Sequence, residues 1–360
     1  MGIDNMPKPL LSICCVTYNH ENYIRECLNG FVTQKTTFHF EILVHEDAST
    51  DNTAQIVKEY ESKFPHLFRC VYQTENQFAK QNTLVNILFP MSQGKYIALC
   101  EGDDYWTDPY KLQKQVDFLE ANPGYSICFH NAEIIDEGTQ LSEGLFVGLQ
   151  KQQYVQLNSS REVLPYEIMI DWIVPTASCL FRSNLIDYKK INSNNFVFGD
   201  IALFLSLTAK GKVFYLNEIM SVYRKSLRGA RFSNDGEYKN GRWERHYNEL
   251  TRLCPDKELE FVINYFKCEV LIYSRAFFFY DLNWITSYQK HKAFKKTFSQ
   301  MNKSNNAIPL NIKKRMLNKL TEFNNSVNHD QRKSISVKRY AYVLFKKSFS
   351  FIRHFITAKT

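Results

Sequence analysis

The sequence predicts an α/β fold with a mostly parallel central sheet, followed by a helical C-terminal region. Three observations predict it. Strand-like and helix-like segments alternate over the first 136 residues, a spacing that builds a parallel sheet covered on both faces. Acidic and polar residues cluster directly after the strand-like segments rather than before them. Beyond Gly241 the chain turns apolar and aromatic at helical spacing, most densely from Phe261 to Phe279. With 360 residues, 44% of them hydrophobic, the chain can bury one large core and an appended region.

Leu11 to Thr17 is a continuous apolar run with Ile and Val, the pattern of a strand buried on both faces. Tyr23, Cys27, Leu28 and Phe31 share one helical face. Phe40 to Val44 is a second strand, Thr53 to Phe64 a second helix, and Phe68 to Tyr72 a third strand. A helix over Leu84 to Met91 precedes a fourth strand at Lys95 to Cys100. Asp108-Pro109 reads as a helix start, and Asn122-Pro123 as its stop. Ser126 to Ile135 is a further strand. Leu141 to Leu164 is polar and weakly patterned, a loop. Val174 to Arg182 and Lys212 to Tyr223 read as strands around a helix at Ile201 to Thr208.

Nine cysteines are scattered without a CxxC pair, so neither a zinc site nor a disulfide framework is expected, and a reducing compartment is. The net charge of +8 is concentrated at the end: residues 301 to 360 hold thirteen Lys/Arg against two acids, leaving the first 300 slightly negative. Nucleic-acid binding by the main domain is therefore not expected. No secretory signal frames the short apolar run at Leu10 to Val16, and no run approaches the roughly 18 residues of a membrane span. The expectation is a cytoplasmic chain, peripheral on the inner face of the membrane. From Ile335 to Ile356 apolar residues recur at helical spacing among Lys338, Arg339, Lys346, Lys347 and Arg353. That pattern suits an amphipathic helix lying on an anionic membrane surface; packing on the domain is the alternative.

The second strand runs into Glu46-Asp47-Ala48-Ser49-Thr50-Asp51 and the fourth into Glu101-Gly102-Asp103-Asp104. Clustered carboxylates repel unless something positive lies between them. A divalent metal with a phosphate-bearing ligand meets that need, and hard oxygen donors suit Mg²⁺ or Mn²⁺. Helix capping competes as a reading for Asp51 and is poor for three acids within 101–104. Asp47 to Asp51 is not an EF-hand, because Asn52 stands where Gly is needed and Lys58 where Glu is. No GxGxxG follows the first strand, and no Walker A sequence occurs.

Val16-Thr17-Tyr18-Asn19, then the acidic run from Glu46 to Asp51, then Glu101-Gly102-Asp103-Asp104-Tyr105-Trp106 resemble glycosyltransferase family 2 in order and spacing, over roughly residues 8 to 235. The resemblance implies a GT-A fold, a nucleotide-sugar domain with an acceptor half beside it. It implies that Thr17, Tyr18 and Asn19 line the nucleoside pocket with Glu21 beside them, and that Asp47 accepts a hydrogen bond from the base. Asp103 would be the metal-binding acid, Glu101 the first acidic position, and Asp104 a donor contact or support. Glu101 stands where Asp is more frequent, which keeps the charge and lengthens the reach. Phe198-Gly199-Asp200-Ile201 falls at the acceptor-side motif, so Asp200 would take the acceptor proton; taken alone, a helix N-cap is an equal reading.

Trp106 is a candidate sugar wall or a core residue, and Arg224 a candidate diphosphate contact. The QxxRW motif of processive synthases is not met, since Lys239 holds the Gln position before Arg242-Trp243. The implied reaction is thus metal-dependent, inverting transfer of one sugar from a nucleotide diphosphate, most often UDP. The acceptor is a saccharide or lipid-linked saccharide hydroxyl in bacterial surface polysaccharide assembly. A nucleotidyltransferase and a non-catalytic sugar-nucleotide scaffold are the alternatives. The organisation expected is a catalytic domain over 1–235, with halves at about 8–136 and 165–235, a helical extension over 236–300, and a basic tail over 301–360. Sugar and acceptor choice is expected to rest on the loops at 141–165 and 225–240.

Overall fold

The computed structural model describes residues 8–77, 84–148, 154–225, 241–280, 284–304 and 306–331. The amphipathic stretch at 335–356 and nearly all of the 225–240 loop lie outside these residues. Strands β1 (Leu11–Thr17), β2 (Phe40–Glu46), β3 (Phe68–Tyr72) and β4 (Tyr96–Leu99) form the parallel part, in the order β3-β2-β1-β4. Helices α1 (Ile24–Val32) and α2 (Thr53–Lys63) bury one face each. The continuous apolar runs of β1 and β2 are explained by this, since both faces are covered.

Beyond β4 the sheet becomes mixed. A short strand β9 (Leu180–Arg182) runs antiparallel between β4 and β6 (Tyr125–Asp136). The long strand β10 (Lys212–Lys225) lies parallel to β6 and carries β5 (Tyr105–Trp106) antiparallel on its far side. The antiparallel entry of β9 turns its N-terminal end toward the C-terminal end of β4. The residues just before β9 therefore meet the acidic loop after β4.

Several expected elements are redrawn. The expected loop at 141–164 contains two strands, β7 (Ser142–Leu145) on β6 and β8 (Arg161–Val163) on β10. Strand β7 is exposed at every position, so no face imposes an alternating pattern on its sequence. The strand expected from Val174 is only β9, because Pro175 opens a 3₁₀ turn at Thr176–Ser178 and accepts from the Ser178 hydroxyl at 2.7 Å. Residues Leu84–Leu88 form a π-helical turn that runs into α3 (Phe89–Met91). Helix α4 (Lys111–Ala121) starts after Asp108-Pro109, with the Asp108 carboxylate accepting from the Tyr110 amide at 2.7 Å.

Three short helices, α5 (Pro165–Asp171), α6 (Tyr188–Ile191) and α7 (Gly199–Thr208), follow β8 in the chain. Four long ones complete the described chain: α8 (Arg242–Leu253), α9 (Lys257–Tyr280), α10 (Trp284–Lys303) and α11 (Leu310–Gln331). One hydrophobic cluster runs from Leu99, Phe129 and Tyr215 in the sheet through α7 to Tyr247, Phe266 and Leu320. Residues of the basic C-terminal region are part of it: Met301, Met316, Leu320 and Val327 are buried. The charge excess up to residue 331 thus lies on helices with a packed apolar face. Among the described residues no helix is long and apolar enough to cross a membrane.

Candidate active site

The loops after β1, β2 and β4 meet at one end of the sheet because these strands run parallel in register, Thr17 opposite Glu46 and Cys14 opposite Leu99. Ligands of open α/β sheets bind beyond such strand ends. The first two loops are tied together. Asn19 is left-handed (φ 54°), a conformation Asn tolerates, and its Oδ1 accepts from the Thr50 amide at 2.8 Å. The Glu21 carboxylate accepts from both the amide and side chain of Asn52, at 3.0 and 2.8 Å. Asp51 accepts from the Glu21 and Thr53 amides, which holds its carboxyl below its ordinary range against the effect of burial. Asn19 and Glu21 therefore build the wall through their loop contacts. Tyr18 is 41% exposed at the mouth. Asp47 is buried, with Oδ1 accepting from the Gln77 amide at 2.7 Å.

Glu101, Asp103 and Asp104 place one carboxylate oxygen each within 4.8 Å of one another. Three acids this close, with Asp103 and Asp104 buried, form a hard-oxygen donor set that fits Mg²⁺ or Mn²⁺. The loop reaches this position only because residue 102 is Gly. A Cβ there would lie 2.5 Å from Thr17 Oγ1 and 2.7 Å from Thr17 Cβ. Sequence reasoning passed over His20, whose Nδ1 lies 3.2 Å from Thr17 Oγ1 and whose Nε2 lies 3.9 Å from Asp103 Oδ2. Its place immediately after Tyr18-Asn19 was the signal available.

Arg224 is a brace beneath the acids. It is buried, its Nη1 donates to the Asp103 carbonyl at 2.6 Å, and its backbone amide donates to Asp104 Oδ1 at 2.8 Å. A second guanidinium nitrogen pairs with Glu26, and the guanidinium carbon lies 5.0 and 4.5 Å from the centroids of the Tyr23 and Tyr105 rings. The Arg224 side chain, expected as a diphosphate contact, is engaged in the structure with the acidic loop and Glu26. One oxygen of Asp104 is thus held by β10.

Trp106 does not line the cleft. It is buried against Phe31, 4.7 Å between centroids, and its Nε1 donates to the Ala177 carbonyl at 2.8 Å. Lys111 Nζ lies 4.1 Å from the centre of that ring and donates to Gln115 Oε1 at 2.8 Å. Gln115 in turn donates to the carbonyls of Cys128 and Ser178. Burial brings the Lys111 ammonium from its ordinary 10.5 down to about 8. Between these values the unfolded chain binds the proton and the folded one does not, so the Lys111 contribution to stability rises with pH across that window. The unfolding free energy of the wild type minus that of Lys111→Met is expected to grow by on the order of 2–3 kcal/mol from pH 8 to pH 10.5. Denaturant titrations at several pH values measure this, and a flat difference would contradict a lowered amine.

Asp200 stands in the first turn of α7, where its Oδ1 accepts from the Ile201 amide at 2.9 Å. Its Oδ2 lies 3.5 Å from the Thr176 hydroxyl. Thr176 begins the 3₁₀ turn whose Ala177 carbonyl receives Trp106, two residues past the acidic motif. Asp200 and the acids after β4 are thereby brought to the same end of the sheet, though they are separated by about a hundred residues of chain.

Residues 12–177 match the family model described as glycosyl transferase family 2. The chain carries a glycosyltransferase family 2 domain. An uncharacterized protein of Mycobacterium tuberculosis is 35% identical over 219 residues, which is 61% of this chain and 60% of that protein. This chain thus spans less than two thirds of the length of its mycobacterial relatives. TuaG of Bacillus subtilis, assigned to teichuronic acid biosynthesis as a glycosyltransferase, is 28% identical across 60% of this chain and 79% of its own. The crystal structure of Staphylococcus aureus TarS 1-349 in complex with UDP-GlcNAc superposes with a TM-score of 0.54 at 18% identity, covering 97% of this chain and 90% of that one. At that identity the likeness establishes the architecture alone: a GT-A fold with a helical C-terminal region.

Proposed function

We propose that this family 2 domain is a metal-dependent inverting glycosyltransferase that moves one sugar from a nucleotide diphosphate, a UDP-sugar, to a hydroxyl acceptor. The observation that carries this reading is the carboxylate triad Glu101, Asp103 and Asp104 at the end of β4, beside the loop wall built by Thr17 to Glu21 and Asp47. TuaG and its polysaccharide assignment support a saccharide or lipid-linked saccharide acceptor in surface polysaccharide assembly. TarS, solved with UDP-GlcNAc on the same fold, supports a UDP-sugar donor.

Asp103 and Glu101 would hold the Mn²⁺ or Mg²⁺, with Asp104 fixed beside them by Arg224. A divalent cation there supplies Lewis-acid stabilisation of the leaving diphosphate. Tyr18 offers an exposed ring at the mouth for the nucleoside, and Asp47 a carboxylate for the base edge. The Thr17–His20 contact and the Gly102 close approach fix the acidic loop against β1. Asp200 accepts the proton of the attacking hydroxyl. The new bond forms on the face of the anomeric carbon opposite the departing oxygen, so its configuration inverts.

The donor is read directly by a thermal-shift screen of nucleotide sugars with and without Mn²⁺. Stabilisation grows as RT ln(1 + [L]/Kd), so a ligand at one hundred times its Kd adds about 2.7 kcal/mol. The expected result is a shift with UDP and one UDP-sugar that needs Mn²⁺. No shift with any nucleotide diphosphate would overturn the donor reading, and tight binding with no donor turnover would favour a scaffold protein.

A further inference from the structure

We propose that His246, on helix α8, is a positioning residue for Asp200, so that the C-terminal helical region forms part of the active-site scaffold. The proposal rests on the reading of Asp200 as the acceptor-side base. Helix α8 (Arg242–Leu253) lies beyond residues 12–177, the segment matched by the family.

The four residues that precede Gly199-Asp200 are gripped by one face of α8. The Asn195 side-chain amide donates to Glu249 Oε1 at 3.0 Å. The Val197 amide donates to His246 Nδ1 at 3.2 Å. The rings of Phe196 and Phe198 meet His246 edge-on, 6.1 and 6.0 Å between centroids, and Phe198 also meets Trp243 at 5.6 Å. Residues 243, 246 and 249 or 250 recur at helical spacing, so these contacts come from a single stripe. The stripe is itself held from behind: Tyr247 stacks on Phe266 of α9 at 6.2 Å, and Leu250 is fully buried.

His246 is suited to accept rather than donate at this nitrogen. It is 1% exposed, and burial, aided by Arg242, brings its imidazole down to about 3. The ring is therefore neutral around neutral pH, and Nδ1 keeps a lone pair for the Val197 amide. The N-cap residue of α7, Phe198, makes no side-chain capping bond to the helix, and the Asp200 Oδ1–Ile201 amide bond lies within the first turn itself. The bond to the Ile201 amide orients the carboxylate within the turn, and the preceding segment, held by α8, orients the turn. An error of about 1 Å in a catalytic group costs on the order of 10²-fold in rate.

The test compares His246→Leu, which keeps the volume and loses the acceptor, with His246→Asn, whose Oδ1 takes the place of Nδ1. Both are measured in the full chain with Mn²⁺, using UDP-glucose and UDP-N-acetylglucosamine with water as acceptor and UDP release as the readout. The expected result is a kcat lowered tenfold or more in His246→Leu, with KM for the donor and UDP affinity within twofold of wild type. His246→Asn is expected to recover most of the rate. A normal kcat in folded His246→Leu, a parallel loss of UDP affinity, or a folded His246→Asn as slow as the Leu variant would each overturn the proposal. Should His246→Leu not fold, Asn195→Ala removes the neighbouring grip alone; a kcat reduced severalfold at constant KM supports the proposal, and an unchanged kcat overturns it. Asp200→Asn is assayed alongside. If it is fully active, the base assignment falls and the positioning role with it. If it is slow while His246→Leu is normal, only the positioning role falls.

Discussion

Asp103→Ala is expected to abolish Mn²⁺-dependent UDP binding. The Asp103 carboxylate is one of three whose oxygens lie within 4.8 Å, and it is held in place from the backbone by Arg224. Removing a direct ligand should cost at least the roughly 10- to 100-fold in affinity that loss of an outer-shell partner of a metal already costs. The fold should tolerate the change. The Arg224 bond goes to the Asp103 carbonyl, which Ala retains, and losing one of three like charges relieves repulsion that is about 1 kcal/mol per pair at 4 Å in water and more where water is excluded. The unfolding temperature in EDTA should therefore not fall, while the shift produced by UDP with Mn²⁺ should disappear. Calorimetric titration of UDP with Mn²⁺ and with EDTA decides it. Equal affinity and equal metal dependence in the variant would remove Asp103 from the metal site.

Asp200→Asn is expected to lose roughly 10²–10⁴ in the rate of transfer while binding donor almost normally. A base acts on the acceptor proton in the transition state, so its loss falls on kcat rather than on donor affinity. Asn keeps the side-chain oxygen that accepts from the Ile201 amide, so the first turn of α7 should survive. Single-turnover transfer and UDP titration on the same preparation separate the two effects. Full transfer by Asp200→Asn would place the base elsewhere.

Much of the donor half was legible from residue order alone. Parallel strands buried on both faces must be apolar throughout, so Leu11–Thr17 and Phe40–Glu46 announced themselves, and the polar residues after them had to lie at one end of the sheet. The acids at 101–104 could be read as a site because like charges are not clustered without a reason. Edge strand β7 was not legible, because a strand wet on both faces has no pattern to show.

The roles of individual polar side chains were decided by tertiary structure. A sequence shows that Trp106 and Arg224 are large and polar-tipped, but not which way they point. Folding turned Trp106 into the core onto Ala177 and Lys111, and Arg224 under the acidic loop. Likewise Asn19 and Glu21 are tied to the loop after β2, about thirty residues away. His246 meets Val197 across 49 residues, and nothing local in either segment foretells it. The sequence by itself determined the succession of strands and helices in the first half, the family resemblance and the carboxylates after the fourth strand, since these rest on periodicity and on charge, which are local. Only the tertiary structure decided which side chains face the cleft and which brace it, because a hydrogen bond between distant residues depends on packing that no single segment encodes.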